Sequence, residues 1–203
     1  MSTFFTALLL GYLLGSVPSA ALVARLRGKS IFELGSGNMG AMNTARNLGM
    51  AWGVLVLLVD AGKGALAVGC AMWLANASGS FGAGAVLAPY AAGLGAVCGH
   101  AWSIYVGFRG GKALAVALGV SLVLFPLAGL AAMALLLGLL AVFRNAALAS
   151  PLAAALLAPV LYLTGEAGAG LSRTAALWTA ALMAVVIIVK HWPDVQETNR
   201  QEE

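Results

Sequence analysis

Charged side chains make up only 9% of this 203-residue chain. Soluble domains carry about 25%, so the polar surface that a water-exposed fold needs is missing. With 62% hydrophobic residues and a mean hydropathy of +0.96, a soluble enzyme, a disordered chain and a nucleic-acid binder are all excluded. Cysteine is nearly absent. Cys70 and Cys98 both lie in apolar runs, which leaves no disulfide framework. His, Cys, Asp and Glu nowhere take metal-ligand spacing, and no G-x-x-x-x-G-K-S/T loop is present; neither a metal nor a cofactor is expected. A GxSxG elbow and a cysteine beside a base are also lacking, which argues against a covalent enzyme intermediate. The balance of Lys+Arg 11 over Asp+Glu 7 gives +4. In a membrane chain such an excess gathers in cytoplasmic loops and sets orientation.

What is present is a series of uncharged runs: Met1 to Ala24, Gly64 to Phe108, Ala113 to Phe143, Asn145 to Gly165 and Thr174 to Val189. A spanning helix needs about 20 apolar residues. The 45 residues from Gly64 to Phe108 therefore hold the end of one span, a turn at Asn76–Gly82 and a second span. The run from Ala113 to Phe143, as one helix, would be about 46 Å long against a hydrocarbon core of roughly 30 Å. Basic residues flank it at both ends, so it is read as two short helices broken near Pro126 and Gly129. The spacing predicts an all-α membrane bundle of seven spans, 3–25, 50–74, 83–105, 113–126, 128–143, 147–164 and 173–190, forming a single domain over 1–203. Nine of the eleven basic residues then lie inside, which places the N-terminus outside and the C-terminus in the cytoplasm. The first segment has no basic n-region and is read as a retained span. Glycine, 26 of 203, points to close helix contact.

The polar residues cluster. Glu33 to Arg46 combines Gly35, Gly37 and Gly40 with Ser36, Asn38, Asn43, Thr44 and Arg46. Glycine-rich turns of this kind form anion-binding concavities; the alternative is a flexible linker. Asp60 and Lys63 sit inside span two, Asp60 about 13 Å past its start, spaced i, i+3 to pair on one face. A buried charge marks a functional site or an internal brace, and Asp60 is read as orienting another group. Gly99 to Lys112 carries His100, Arg109, Gly110, Gly111 and Lys112, with bare amides at a helix start where the dipole favours phosphate. His100 is open to three readings: base, phosphate donor, or helix-end histidine bonded to a carbonyl. Trp102 and Tyr105 are read as interfacial anchors. Arg144, Asn145, Lys190 and His191 close the inner ends of later spans, where Lys and Arg ordinarily snorkel. Two glycine-rich basic loops at one membrane face suit phosphate-bearing substrates.

The segments GSGNMGAMNTARNLG, DAGKG and GHAWSIYVGFRGGKALAVALG, in this order, resemble the bacterial acyl-phosphate-dependent glycerol-3-phosphate acyltransferases, over nearly the whole chain. The resemblance implies a seven-span inner-membrane fold with its active site at the cytoplasmic face. It also implies transfer of a fatty acyl group from acyl phosphate to the sn-1 hydroxyl of glycerol 3-phosphate, giving lysophosphatidic acid without acyl-CoA or a metal. An acyl-phosphate-forming enzyme is then an expected partner. By position, Ser36 and Arg46 match the family's essential serine and arginine. Gly110, Gly111 and Lys112 match its phosphate loop, Gly99-His100 the preceding dipeptide, and His191 the start of its C-terminal motif. The chain departs from the family at that motif, where His-Arg-x-Asn-Ile-x-Arg reads His191-Trp-Pro-Asp194-Val-Gln-Glu197, although Glu203 falls at the place of the motif's distal glutamate. It departs again after span five, where Arg-Tyr-Val-Ser-Leu reads Arg144-Asn-Ala-Ala-Leu148, and at Met42, where the family has threonine. Asp194 and Glu197 are expected to weaken anion binding unless they face solvent or a cation. An inactive lipid-phosphate-binding relative and a small organic-anion transporter are the competing readings. The second predicts polar residues along a path to both faces, whereas here they stop at Asp60 and Lys63.

Overall fold

The computed structural model describes residues 1–77, 82–166 and 172–202, with the side chains of 198, 199, 201 and 202 left aside. The described residues form helices and no strand. In order they are α1 (Ser2–Gly15), α2 (Ser19–Leu26), α3 (Ala41–Leu48), α4 (Met50–Ala77), α5 (Ala83–Ala101), α6 (Leu114–Leu124), α7 (Pro126–Phe143), α8 (Ala146–Thr164) and α9 (Arg173–Glu202), with 3-10 turns at Ile31–Glu33 and Ile104–Val106.

Six stretches are long and apolar enough to cross a bilayer: Ser2–Leu26, Met50–Ala77, Ala83–Val106, Pro126–Phe143, Ala146–Thr164 and Arg173–Glu197. The exception among the expected spans is α6. Its 11 residues rise about 16 Å, roughly half of the hydrocarbon core. The split of the Ala113–Phe143 run is present, at Phe125–Pro126. Pro126 occupies the first turn of α7, where its missing N–H costs nothing. Glu166 caps the same turn, its carboxylate accepting from Leu127 N at 3.0 Å and Ala128 N at 2.6 Å. Asn145 Oδ1 caps α8 by accepting from Ala147 N at 2.8 Å.

Three expectations change. The first span is two helices, because Pro18 lacks an N–H and disfavours a helical residue before it, so the chain breaks between Gly15 and Ser19. Residues 41–48, expected as loop, form α3, which lays Ala41 and Leu48 against the cluster of Val23, Ile31, Met39 and Val56. The last helix runs on past Lys190 to Glu202 and carries Pro193 in its interior. The expected turn at 76–82 falls largely on residues outside those described, as does Glu203.

Glycine brings α1 and α5 together. Gly11 and Gly15 lie against the backbone of Ala92 and Ala96, while Gly95 and Gly99 lie against the backbone around Leu8, Tyr12 and Ser16. A methyl group at any of the four would overlap main-chain atoms. This is the small-xxx-small contact by which helices associate in lipid, where burial of apolar surface supplies little drive. The principal core is built from Val68, Val97, Val120, Leu124, Met183 and Ile187 of α4, α5, α6 and α9, with Phe125 from the break between α6 and α7.

Candidate active site

The break at Pro18 has a chemical consequence. It frees carbonyl groups inside the bundle, and in lipid these must be satisfied by protein. Ser103 Oγ donates to Ser16 O at 2.6 Å, and Lys63 Nζ donates to Val17 O at 2.8 Å. Lys63 is itself buried. It pairs with Asp60 Oδ1 at 2.8 Å and lies 2.9 Å from His100 Nδ1. Asp60, only 1% exposed, also accepts from Ser19 Oγ at 2.6 Å and stands 3.6 Å from His100 Nδ1. All three ammonium N–H positions of Lys63 are thus used. A lysine only donates, so Nδ1 of His100 is the acceptor and its proton sits on Nε2. The i, i+3 pair expected from spacing exists, and it braces a broken helix to a histidine.

His100 ends α5, and the chain returns to it. Gly111 N donates to His100 O at 3.0 Å. A Cβ at Gly111 would collide with the His100 ring, and one at Gly110 with the carbonyls of His100 and Ala101. The paired glycines are therefore demanded by the close approach of the loop to the end of α5. Lys63 lies 13 residues beyond Met50, hence about 20 Å along α4; the loop that follows α5 reaches that level and α6 starts from it. This is why so short a helix suffices there. Ala113, buried and at φ +61, takes a left-handed conformation that costs an alanine about 1–3 kcal/mol and turns the chain into α6 directly after Lys112.

Lys112 meets α9. The carboxylate of Asp194 closes on its Nζ, with side chains 25% and 39% exposed. Burial, with Lys190 nearby as a second cause, holds the Lys112 amine below the ordinary lysine range. Lys190 lies over the Trp102 ring at 5.6 Å. His191, 4% exposed, places Nδ1 2.8 Å from Ile187 O. A carbonyl only accepts, so Nδ1 carries the proton and the Nε2 lone pair is free. His100, Lys112, His191 and Asp194 thus occupy one region where α5, the glycine loop and α9 converge.

The first loop attaches to this region through Arg109, whose guanidinium lies 3.8 Å from the Phe32 ring centre. Ser36 and Arg46 are both exposed. Asn43, expected to contact substrate, is buried and fully engaged. It donates to Leu34 O at 3.0 Å and Asn38 O at 2.9 Å, and accepts from Ser36 N at 3.2 Å and Asn47 Nδ2 at 2.9 Å. Its role is to shape the loop. Gly35 and Gly37 turn that loop at φ +53 and +66, and a Cβ at Gly35 would meet Asn43 and Asn47. Asn38 Oδ1 is buried without a hydrogen-bond partner among the described residues. Sequence reasoning missed Ser16, Ser19 and Ser103; Pro18 inside an apolar run was the signal that carbonyls there would need donors.

Two residues beyond Lys112, Leu114 opens a cavity of about 110 Å³ between α4, α6, α7 and α8, lined by Leu57, Leu118, Met133, Leu136 and Leu157 among others.

A helix bundle of this kind, with a polar region let into one end and an apolar cleft beside it, defines a polytopic integral membrane protein. The profile of the family described as glycerol-3-phosphate acyltransferase matches residues 5–201. The glycerol-3-phosphate acyltransferase 1 of Dehalococcoides mccartyi is 44% identical over 153 residues, 72% of this chain and 70% of that one. The glycerol-3-phosphate acyltransferase of Syntrophotalea carbinolica is 38% identical over 197 residues, 97% and 94% of the two chains. The crystal structure of PlsY, an integral membrane glycerol 3-phosphate acyltransferase, in its glycerol 3-phosphate form superposes with a TM-score of 0.83 at 30% identity, over 100% of this chain and 94% of that one. Its lysophosphatidic acid form gives 0.81. The chain belongs to the glycerol-3-phosphate acyltransferase family.

Proposed function

We propose that this protein transfers a fatty acyl group from acyl phosphate to the sn-1 hydroxyl of glycerol 3-phosphate in the bacterial inner membrane, with its site open to the cytoplasm. Seven membrane passages, an outer N-terminus and an inner C-terminus go with this reading, α6 completing one passage from mid-depth. The observation that carries it is the placement of Lys112 on a two-glycine loop, with the apolar cleft starting at Leu114. A cation for phosphate and a slot for an acyl chain adjoin.

Lys112 grips a substrate phosphate, with the amide of Gly110 and the side chain of Arg46 as further donors; Arg109 adds positive charge at the rim. The sn-1 oxygen attacks the acyl carbonyl, the bond between that carbonyl carbon and the phosphate oxygen breaks, and the hydroxyl proton leaves to His191 Nε2 or to the departing phosphate. Lysophosphatidic acid and inorganic phosphate result. Ser36 donates to the carbonyl oxygen as charge develops there, which is the kind of contact that lowers a barrier most. Holding two reactants in register supplies several kcal/mol more. His100, its Nδ1 occupied by Lys63, acts through Nε2–H as a donor or through its packing on the loop. A protein partner that forms acyl phosphate would supply the donor.

Membranes containing the protein, incubated with labelled glycerol 3-phosphate and either acyl phosphate or acyl-CoA, test this. Lysophosphatidic acid should form from acyl phosphate alone. Product from acyl-CoA alone would refute the donor assignment. Binding without product from either donor would favour an inactive relative.

A further inference from the structure

We propose that Asp194 is an internal competitor for the substrate phosphate, occupying Lys112 when the site is empty and released when the dianion binds. The inference rests on the assignment of Lys112 to phosphate made above. Asp194 lies on α9 three residues past the buried His191, on the same side of the helix, and its carboxylate closes directly on Lys112 Nζ. Lys112 has three donors on a backbone that is anchored at both sides, because Ala113 is buried and Gly111 is pinned to the His100 carbonyl. A phosphate that takes Lys112 must arrive where the carboxylate now stands, next to a like charge. Asp194 sits beyond Pro193 in the last turns of α9, with 39% of its side chain exposed. It therefore has more water to move into than Lys112, whose side chain is 25% exposed.

The physical consequence is an exchange: one carboxylate contact is given up for a phosphate contact of higher charge. Partly exposed pairs of this kind are weak, about 0.2–1 kcal/mol, so the competition corresponds to roughly a 1.4-fold to fivefold effect on affinity. It keeps Lys112 neutralised between turnovers and raises the concentration of phosphate needed to fill the site. Asp194 is a positioning residue here. It touches Lys112, and acts on the substrate through it.

The test is calorimetric binding of glycerol 3-phosphate and of inorganic phosphate to the purified full-length protein in detergent, at fixed ionic strength, with KM and kcat measured alongside. Asp194→Asn should tighten both ligands about 1.4-fold to fivefold and lower KM with little change in kcat. Asp194→Glu, which keeps the charge, should stay near the parent. Asp194→Ser provides a second neutral variant should the amide disturb the fold. Lys112→Ala should weaken both ligands, and adding Asp194→Asn to it should give no further tightening. Unchanged or weaker binding in both neutral variants, with Lys112→Ala still weakened, would overturn the competition while leaving Lys112 as the phosphate ligand. Equal tightening in the Lys112→Ala background would also overturn it, since that is a bulk charge effect. If Lys112→Ala binds as the parent does, the phosphate assignment itself falls, and this proposal with it.

Discussion

Lys63→Met is the most informative perturbation of the buried network. It removes the donor that satisfies Val17 O, occupies His100 Nδ1 and balances Asp60. Methionine fills a similar volume, so the loss is electrostatic. What remains is a carboxylate 1% exposed with Ser19 as its nearest donor, and a carbonyl at a helix break that keeps only the Ser19 amide at 3.1 Å. Removing one member of a buried ion pair costs about 3–5 kcal/mol. At about 2–4 °C per kcal/mol for a chain of this length, the unfolding midpoint in detergent should drop by at least 6 °C. The reasoning assigns most of this to the stranded charge. Adding Asp60→Asn to Lys63→Met should therefore recover part of the loss, although it is a second change in the same core. Thermal unfolding of parent, both single variants and the double variant measures it. A double variant less stable than Lys63→Met, or a single variant within about 1 kcal/mol of the parent, would refute the account of a brace built on paired charge.

Three further outcomes are expected. Gly111→Ala places a methyl on the His100 ring and should lower kcat/KM by about a hundredfold, the cost of an ångström-scale misplacement, with glycerol 3-phosphate turnover as the assay; near-normal turnover would show that loop and ring can separate freely. His191→Gln should reduce kcat by about 10²–10⁴ if Nε2 takes the proton, and an unchanged kcat would move that role to the leaving phosphate. Gly15→Leu forces α1 off α5 and should prevent recovery of folded protein from membranes, while Gly138→Leu, where a Cβ meets open space, should be recovered normally; size-exclusion profiles distinguish the two.

The site was unevenly legible. Asp60 and Lys63 announce themselves because charge inside an apolar run is costly and their spacing places them on one face. His191 and Lys112 were recognisable from motif and position. Their meeting was not, since α9 lies nearly eighty residues downstream in sequence and only packing brings it to the glycine loop. Asn43 misled for a related reason. An amide in a glycine-rich loop can face a ligand or its own backbone with equal chemical sense, and here four internal hydrogen bonds decide it. Gly110 and Gly111 looked like bare amides for an anion and are required first by contact with His100.

Composition and charge spacing alone determined that the chain is a helical membrane protein, because a backbone in lipid must satisfy its own hydrogen bonds and the apolar runs have helical lengths. They also placed the break before α7 and the glycine demand for close helices. Tertiary structure alone decided that Lys63 repairs the break at Pro18. It decided too that Lys112 faces Asp194, since the partner of a freed carbonyl or a buried cation is set by which helices pack together, and local sequence carries no record of that.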